Sequence, residues 1–518
     1  MGEAISDQAA VLDFMASPDA YGLVHGKVER IETHASVVFL AGPRAYKLKR
    51  AVKYPFLDFS TLGLRRHALL NELRLNRRTA PHLYLDVISI TIDECGKFHI
   101  SGLGEIVEWV LVMHRFDQSK LLDRMAEDGR LPMAAMPQLG RVIANFHRNA
   151  NRFLGAEESA SALLAVIEDN AAVVAGKEAI LPAGALTTVD HTSRETLAAL
   201  ASLLKARAQA GYVRHCHGDL HLGNIVEIEG APVLFDAIEF DDAIATIDVL
   251  YDLAFLLMDL GARGLRAHAN AALNGYLEAC GDTGNLIGLA TLPLFLSMRA
   301  MIRAKVSLLR AGLKPESRGE AHARAASYVL LARDHLERKL PQLVAIGGLS
   351  GSGKSSVAQA VAPQVGAFPG AVLVRSDVER KRLFGVSGEE RLPRSAYAAE
   401  VSAIVYTMCR KRALMALEGG HSVIVDAVHA KRDERDAVAE IASRASAAFT
   451  GIWLDAPAGT MRGRIAGRVG DVSDATPAVL DEQLQFDLGQ QNFAVVDAGR
   501  PLEDVVVSSL ELIRPAKS

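Results

Sequence analysis

Two stretches of polar residues in this chain have types and spacing suited to phosphate chemistry. The first is His217-Gly-Asp-Leu-His-Leu-Gly-Asn224, with Asp236 following in Leu234-Phe-Asp-Ala-Ile-Glu239. The second is Gly348-Leu-Ser-Gly-Ser-Gly-Lys-Ser355. Phosphoryl transfer depends mainly on positioned charges, a metal ion and a proton acceptor, and both stretches contain such groups. We therefore expect two separate sites for a nucleoside triphosphate.

The first cluster places the required polar groups on one loop and one hairpin. Asp219 is the candidate acceptor of the proton that leaves the attacking hydroxyl. Asn224 and Asp236 offer amide and carboxylate oxygens, the kind of ligand that Mg²⁺ prefers. These residues predict a magnesium-assisted transfer site, with Asp219 as base and Asn224 and Asp236 as metal ligands.

A positive side chain is needed upstream to hold the α- and β-phosphates of the nucleotide. Lys47 and Lys49 lie in residues 45–49, whose alternating pattern predicts a strand, and side chains two positions apart share one face. Glu72 follows in a predicted helix and could steady such a lysine. The spacing does not choose between the two lysines, and we favour Lys47.

The second cluster has the spacing of a phosphate-binding loop. Residues 343–346 form a short apolar run that predicts a strand, and a helical pattern begins at Ser356. Glycines let backbone N–H groups of such a loop turn toward phosphate, and the helix N-terminus adds positive potential. We expect Lys354 to act on the β- and γ-phosphates and Ser355 to bind Mg²⁺. The residues predicted to surround the nucleotide are Gly348, Ser350, Gly351, Ser352, Gly353, Lys354, Ser355 and Ser356.

The His-Gly-Asp motif with its later Asn and Asp resembles the aminoglycoside phosphotransferase and choline kinase family, over roughly residues 20–335. The resemblance implies a two-lobed, protein-kinase-like fold that binds ATP between its lobes and phosphorylates a small-molecule hydroxyl. The chain departs from the kinase pattern at Thr33-His-Ala-Ser36, where the turn before the lysine strand has no glycine. Gripping of phosphate by backbone amides is therefore less expected there.

Residues 341–518 resemble the small P-loop kinases, such as gluconate kinase, adenylylsulfate kinase and the zeta-toxin-like enzymes. The stretches Arg375-Ser-Asp-Val-Glu-Arg-Lys-Arg382 and Val423-Ile-Val-Asp-Ala427 carry this resemblance. It implies that Asp377 accepts the proton of the second acceptor, that the arginines after it, Arg380 and Arg382, bind an anion, and that Asp426 supports Mg²⁺. A helix-capping role for Asp377 remains the alternative.

The same resemblance implies a lid that brings positive charge over the γ-phosphate. A predicted helix after residue 457 carries Arg462, Arg464 and Arg468, and the last two lie one turn apart. We expect Arg464 and Arg468 to contact the nucleotide, with a solvated basic face as the alternative.

The P-loop region resembles most the stand-alone kinase domain that is often labelled an AAA family ATPase. The order of the two regions resembles a bacterial bifunctional family described as an aminoglycoside phosphotransferase fused to an ATP-binding protein. The implied fold class is mixed α/β and α+β. A two-lobed, protein-kinase-like part precedes a P-loop domain with a mainly parallel sheet flanked by helices. The predicted domains are an N-lobe at 1–113, a helical C-lobe with the catalytic loop at 114–338, and the P-loop domain at 341–518.

The composition limits the partners. Lys and Arg number 57 against 61 Asp and Glu, so no overall charge favours nucleic acid or an anionic membrane. The four cysteines show neither metal-ligand spacing nor a disulfide framework. The apolar windows 249–260 and 292–309 are interrupted by charges and predict buried helices. We expect a cytoplasmic protein that binds neither nucleic acid nor membrane.

These observations predict a bifunctional small-molecule kinase that transfers the γ-phosphoryl of MgATP to a sugar, amino sugar, aminoglycoside or amino alcohol. Acidic residues Glu239, Asp241 and Asp242 near the first site slightly favour a cationic acceptor. Two alternatives remain. One domain could bind ATP only to regulate the other, or the C-terminal domain could act as a toxin-like kinase of cell-wall sugar nucleotides.

Overall fold

The computed structural model divides into two compact units by packing. The first consists of Met1–Ala135, Phe146–Leu154 and Gly211–Asp252, and the second of Met136–Asn145, Gly155–Ala210 and Leu253–Ser518. The structure describes residues 7–24, 26–33, 35–54, 57–153, 159–177, 179–313, 318–386, 388, 390–467 and 473–513. The division places the P-loop region in the same unit as helices that precede residue 341.

The bounds of the strands and helices are as follows. The strands are β1 (Glu29–Glu32), β2 (Ser36–Ala41), β3 (Arg44–Lys49), β4 (Lys53–Tyr54), β5 (Leu57–Asp58), β6 (Tyr84–Ile92), β7 (Phe98–Ile100), β8 (Glu105–His114), β9 (Val213–His215), β10 (Ile225–Ile228), β11 (Ala231–Leu234), β12 (Thr246–Asp248), β13 (Gln342–Gly347), β14 (Val372–Arg375), β15 (Val423–Asp426), β16 (Ala448–Asp455) and β17 (Ala494–Asp497). The α-helices are α1 (Asp7–Ala16), α2 (Leu62–Asn76), α3 (Leu122–Glu127), α4 (Ala135–Asn149), α5 (Ser159–Val174), α6 (Ala183–Gln209), α7 (Asp242–Ala245), α8 (Val249–Ala262), α9 (Arg266–Cys280), α10 (Gly284–Gly288), α11 (Leu292–Leu313), α12 (Arg318–Leu336), α13 (Lys354–Val361), α14 (Ser376–Leu383), α15 (Ala399–Glu418), α16 (Arg432–Arg444), α17 (Ala458–Ala466), α18 (Pro477–Gln483) and α19 (Leu502–Ile513).

The first unit contains an antiparallel sheet in the order β1-β2-β3-β8-β6-β7. Apolar side chains cover both faces of this sheet. One face packs against α1 through Val11 and Met15, and the other packs against α2 through Leu69 and Leu73. Because side chains alternate along β3, Leu48 faces the α1 side and the neighbouring lysines face the α2 side.

The helix α2 is placed by a cap and by one buried stripe. The hydroxyl of Thr61 accepts the N–H of Leu64 at 3.3 Å, which satisfies one free donor at the helix start. Leu69, Glu72 and Leu73 lie three or four positions apart and are buried together, as expected for one face of a helix. This face carries Glu72 toward the lysine strand.

The second unit combines helices with a parallel sheet in the order β14-β15-β13-β16-β17. Its buried core includes Val344 and Ile346 of β13, Val357 of α13, Ile424 of β15 and Ile452 of β16. The central strand is apolar along its length because both faces of the sheet are covered. The carboxyl ends of β13, β14 and β15 lie side by side at the same end of the parallel strands, where the second candidate site is found.

Within the described residues, the segment Gly284–Leu309 is long and apolar enough to cross a membrane, with a mean hydropathy of 1.5. Inside the structure, 78% of its apolar window is buried. This burial agrees with the prediction that residues 292–309 form a buried helix.

Candidate active sites

The His-Gly-Asp loop of the first site is held from behind by Asp252, which is fully buried. Its carboxylate accepts the backbone N–H of His217 at 3.1 Å and of Gly218 at 2.9 Å. The His147 ring nitrogen Nε2 lies 3.0 Å from the same carboxylate. Asp252 is therefore a loop anchor in the structure.

His217 braces the loop against the strand that follows. Its Nε2 lies 2.9 Å from the carbonyl oxygen of Phe235, next to the candidate metal ligand Asp236. Burial lowers the pKa of the His217 imidazole, so the neutral ring is favoured. Its contacts support a positional role for His217.

Asp219 and Asn224 are hydrogen-bonded to each other on this loop. The Asn224 Nδ2 group donates to Asp219 Oδ2 and to the Asp219 carbonyl oxygen, both at 2.9 Å. The Asp219 side chain is 39% exposed, and His221 Nε2 lies 3.4 Å from its carboxylate. The carboxylate is thus fixed in orientation and still accessible to a substrate. The roles of Asp219 and Asn224 remain predictions.

Asp236 lies in the left-handed backbone region, with φ of 61°. Its backbone N–H donates to the Tyr84 hydroxyl at 3.0 Å, and its Oδ1 lies 2.6 Å from Lys47 Nζ. Burial raises the pKa of Asp236, but the Lys47 ammonium outweighs burial and the net pKa is lowered. The structure therefore brings an ionised carboxylate to the place where the sequence predicts a metal ligand.

Both candidate lysines share the buried carboxylate of Glu72. Lys47 Nζ is 2.7 Å from Glu72 Oε1, and Lys49 Nζ is 2.6 Å from Glu72 Oε2. Lys49 also pairs with Glu239, whereas Lys47 pairs with Asp236. Burial would lower the pKa of Lys47, but Asp236 and Glu72 raise it well above its usual value. Lys47 thus contacts the candidate metal ligand Asp236, whereas Lys49 contacts Glu72 and Glu239.

The acidic residues suggested for a cationic acceptor are engaged elsewhere. Glu239 is almost buried and holds Lys49. The Asp241 carboxylate accepts the N–H of Ala243 at 2.8 Å, and Asp242 lies 3.1 Å from His215. Of the three acidic residues, Glu239 is thus neutralised by a buried lysine, and the preference for a cationic acceptor stays a prediction. The buried role of Glu239 was missed, since only its position across the sheet reveals it.

The phosphate-binding loop of the second site turns at glycines that have no room for a side chain. The φ angles of Gly348 and Gly351 are 144° and 82°. A Cβ atom at Gly348 would lie 2.7 Å from Leu454 O, and one at Gly351 would lie 2.5 Å from Met461 O. Close packing against β16 and α17 therefore imposes glycine at both positions.

Lys354, Ser355 and Asp426 lie at the carboxyl ends of the parallel strands. The Ser355 hydroxyl donates to Asp426 Oδ2 at 2.6 Å, and Lys354 Nζ donates to Leu349 O at 3.0 Å. Asp426 is 4% exposed, and Arg375 Nε lies 3.6 Å from it. A hydroxyl and a carboxylate in contact form an oxygen donor set that suits Mg²⁺.

Asp377 faces the same cavity as the phosphate-binding loop. This cavity has a volume of about 1660 Å³, and its lining includes Lys354, Ser355, Asp377 and Asp426. The N-cap residue of α14 is Arg375, so the alternative that Asp377 caps this helix was wrong. Burial raises the pKa of Asp377, and the Asp426 carboxylate raises it further. A raised pKa brings a carboxylate nearer to the range useful for a general base.

The basic residues after Asp377 have different positions. Arg380 lines the cavity and is 6% exposed. Lys381 is buried and lies 3.4 Å from Asp474, and Arg382 pairs with Glu379. The expectation that both arginines bind an anion was therefore wrong for Arg382, whose guanidinium group is paired inside the protein. Only Arg380 of the three lines the cavity.

The predicted lid arginines are represented by Arg464, since Arg468 lies outside the described residues. Arg464 lines the cavity and donates to Ser352 O at 3.2 Å. Gln483 of α18 was not predicted: its Oε1 accepts the N–H of Ser350 in the phosphate-binding loop at 2.7 Å. No signal in the sequence marks this glutamine, because the two residues lie 133 positions apart.

Comparison with known families gives a match to each of the two parts of the chain. A profile described as Phosphotransferase enzyme family matches residues 64–286, and one described as AAA domain matches residues 343–487. The predicted resemblance and the mixed α/β fold class are confirmed. The chain is a kinase with a hydroxyl acceptor, built from a phosphotransferase domain and a P-loop kinase-like domain. The kinase families imply the use of ATP.

The chain belongs to the same family as two mycobacterial proteins. These are "Uncharacterized protein Mb2027c" of Mycobacterium bovis and "Uncharacterized protein Rv2004c" of Mycobacterium tuberculosis. Each is 30% identical over 496 residues, which cover 94% of this chain and 95% of the relative. The similarity therefore extends along nearly the whole of both chains.

Solved structures with similarity to each part show low overall scores. A choline/ethanolamine kinase family protein from Mesorhizobium loti is 16% identical, covers 63% of this chain and 99% of its own, and has a TM-score of 0.38. APS kinase of Mycobacterium tuberculosis is 20% identical, covers 33% of this chain and 97% of its own, and has a TM-score of 0.26.

Proposed function

We propose that the chain is a bifunctional kinase with two independent transfer sites, each of which moves the γ-phosphoryl group of ATP to a hydroxyl acceptor. The observation that carries this proposal is the shared cavity of Asp377 and the phosphate-binding loop. A loop that only bound nucleotide would not need a half-buried carboxylate with a raised pKa beside it.

At the first site, Asp219 accepts the proton of the attacking hydroxyl. The acceptor oxygen bonds to the γ-phosphorus, the bond from that phosphorus to the bridging oxygen breaks, and ADP leaves. Lys47, held by Glu72, is the group that binds the α- and β-phosphates. Lys49 and Glu239 support Glu72 from behind.

At the second site, the same transfer uses Asp377 as the proton acceptor. Lys354 contacts the β- and γ-phosphates, and Arg464 approaches from α17. Arg380 lies one helical turn after Asp377 and lines the same cavity, which supports an acceptor with an anionic group near its reactive hydroxyl. The first acceptor is proposed to be a sugar, amino sugar, aminoglycoside or amino alcohol.

The oxygen ligands at both sites suit Mg²⁺. Asn224 and Asp236 would hold it at the first site, and Ser355 and Asp426 at the second. When bound, Mg²⁺ neutralises the charge of the phosphates during transfer.

A regulatory role for the first site is the second candidate. The turn before β2 has no glycine, and the N–H of Ser36 is already bonded to the Thr33 hydroxyl at 2.9 Å. This turn therefore offers fewer free amides to a phosphate than a glycine-rich loop does. In the regulatory alternative, ATP binds at the first site without transfer and changes turnover at the second.

The decisive experiment is a screen for transfer of labelled γ-phosphate from ATP to a library of metabolites and antibiotics. Asp219→Asn should abolish products of the first site and spare those of the second, and Lys354→Ala should do the reverse. Products that require only Lys354, with ATP binding retained at the first site, would favour the regulatory alternative. Loss of all products in either folded variant would contradict independent sites.

A further inference from the structure

The strand that leads to Asp377 lies at the edge of the parallel sheet, and its outer side is bonded to a helix. The N–H of Leu373 donates to Asn274 Oδ1 of α9 at 2.7 Å. The carbonyl oxygen of Ala371 accepts from Asn274 Nδ2 at 3.2 Å and from Asn270 Nδ2 at 3.0 Å. An edge strand normally presents such groups unpaired, so these amide side chains take the place of a neighbouring strand.

The helix that carries Asp377 is bonded to the C-terminal end of the same α9. Arg382 donates to the carbonyl oxygen of Glu278 at 2.9 Å, and Arg412 donates to that of Gly281 at 2.9 Å. Glu379 is buried and pairs with both arginines. Carbonyl groups at a helix C-terminus favour cations, so this end of α9 is a natural partner for two guanidinium groups.

Asp377 lies between these two anchor points. Leu373 is bonded to α9 four positions before it, and Arg382 is bonded to α9 five positions after it. The backbone between the anchors therefore has little freedom. Arg380, which lines the cavity, lies between the same two anchor points.

A second set of contacts lies at the first residue of α9 and on the helices α8 and α12. Arg266 donates to Gly366 O at 3.0 Å, and the Phe368 ring packs so closely on Gly261 that a Cβ there would lie 2.8 Å from it. The Phe368 ring centroid is 5.1 Å from that of His335 in α12. The packing of the Phe368 ring holds the helices against the P-loop region. The asparagine side chains of α9 and the arginines bonded to its C-terminal end fix the position of β14 and α14.

We propose that α9 is a positioning element of the second site: Asn274, Asn270 and the carbonyls at the end of α9 set the place of Asp377 relative to the phosphate-binding loop. The P-loop region is then completed by a helix that precedes it in sequence. This inference rests on the proposed function of Asp377. Asn274 acts only through the backbone, so it is a positioning residue.

The test uses the full chain with Asp219→Asn, so that turnover by the first site is silenced. The reaction measured is ATP hydrolysis that depends on Lys354. A water oxygen bonds to the γ-phosphorus, the bond to the ADP oxygen breaks, and the proton passes to Asp377. Asn274→Leu removes the bonds to Leu373 and Ala371 with little change in side-chain size.

We expect Asn274→Leu to lower kcat by roughly tenfold to a hundredfold, the scale of a displacement of about 1 Å in a reacting group. The KM for ATP should change by less than about twofold, because the phosphate-binding loop lies on β13 and α13, away from the altered bonds. Gln209→Leu is the control, since it makes the same kind of replacement at the exposed end of α6. It should leave both constants unchanged.

Hydrogen exchange at the Leu373 amide verifies that the bond is lost. Faster exchange there with unchanged kcat would overturn the proposal, as would equal losses in kcat and ATP affinity. If Asn274→Leu does not fold, Arg412→Lys tests the other anchor and should show the same selective loss of kcat; an unchanged kcat would again overturn it. Absence of any Lys354-dependent hydrolysis in the chain with Asp219→Asn alone would instead contradict the proposed function.

Discussion

The two candidate sites differ in the groups that they offer to a triphosphate. In the first, five charged side chains are paired in a network that is buried except at Asp236: Lys47, Lys49, Glu72, Asp236 and Glu239. In the second, the loop relies on glycine backbone that packs against neighbouring carbonyl groups. The first site therefore depends on the balance of charge in its interior, whereas the second depends on the absence of side chains. Different substitutions should damage each.

The largest contrast concerns the two candidate bases. Asp219→Asn should lower transfer at the first site by about 10²–10⁴-fold, and Asp377→Asn should do so at the second, because each removes a general base. Each should leave the other site within about twofold. Product-specific rates with labelled ATP measure both. A fall in both activities from one substitution would show that the sites are coupled.

Removal of the Glu72 carboxylate, which both lysines share, should show how much the charge network of the first site contributes to stability. Glu72→Leu leaves two buried ammonium groups without their common partner and should lower the free energy of unfolding by about 3–5 kcal/mol. The chain has two tryptophans, Trp109 in the first unit and Trp453 in the second. Urea denaturation followed by Trp109 fluorescence in a Trp453→Phe background measures this loss.

The matched substitution in the second unit is Ser355→Ala, followed through Trp453 in a Trp109→Phe background. It removes one hydrogen bond to Asp426 and should cost only about 1 kcal/mol. Equal losses for the two variants would contradict the view that buried charge pairing distinguishes the first site.

A smaller effect is expected from a methyl group in the phosphate-binding loop. Gly351→Ala places a Cβ against Met461 O at positive φ, and the strain of about 1–3 kcal/mol should weaken ATP binding by about tenfold to a hundredfold. Calorimetric titration measures the affinity, with the second-site signal defined as the part lost in Lys354→Ala. Gly420→Ala is the control, because it has positive φ and open space around it. Similar weakening in both variants would assign the effect to backbone conformation in general.

The smallest effect concerns pH. The raised pKa of Asp377 means that its carboxylate becomes protonated at a higher pH than an ordinary aspartate, whose pKa is about 3.9. Since a base must be ionised, kcat/KM of the second site should fall on acidification with a midpoint above that value. The same raised pKa makes the ionised carboxylate unfavourable in the folded state at neutral pH. Asp377→Asn should therefore raise the free energy of unfolding at pH 7, and this gain should vanish below the unfolded pKa.

The sequence predicts best those features that lie close together along the chain. The phosphate-binding loop is a run of consecutive residues between a strand and a helix, so its geometry follows from local pattern. Asp219, Asn224 and Asp236 are separated by one short hairpin, and the structure brings them together as expected. Local spacing therefore identifies both groups of candidate residues, whose catalytic roles remain predictions.

Features that depend on distant partners were not predictable from local pattern. The choice between Lys47 and Lys49 rests on which one reaches Asp236, 189 positions away from Lys47. The bond between Asn270 and Ala371 spans 101 positions. No periodicity in the sequence encodes such contacts, because they follow from how whole elements pack. The role of Arg382 was misjudged for the same reason.

The contact between Gln483 and the Ser350 N–H has a consequence for how nucleotide enters and leaves. A phosphate oxygen can accept the Ser350 N–H only after the side-chain oxygen of Gln483 has left it. Phosphate binding there therefore replaces one hydrogen-bond acceptor with another. The net affinity then depends on residue 483 as well as on the loop itself. After transfer, return of the glutamine would compete with ADP and hasten its departure. Affinity and product release can thus be adjusted from α18 without any change in the glycine loop.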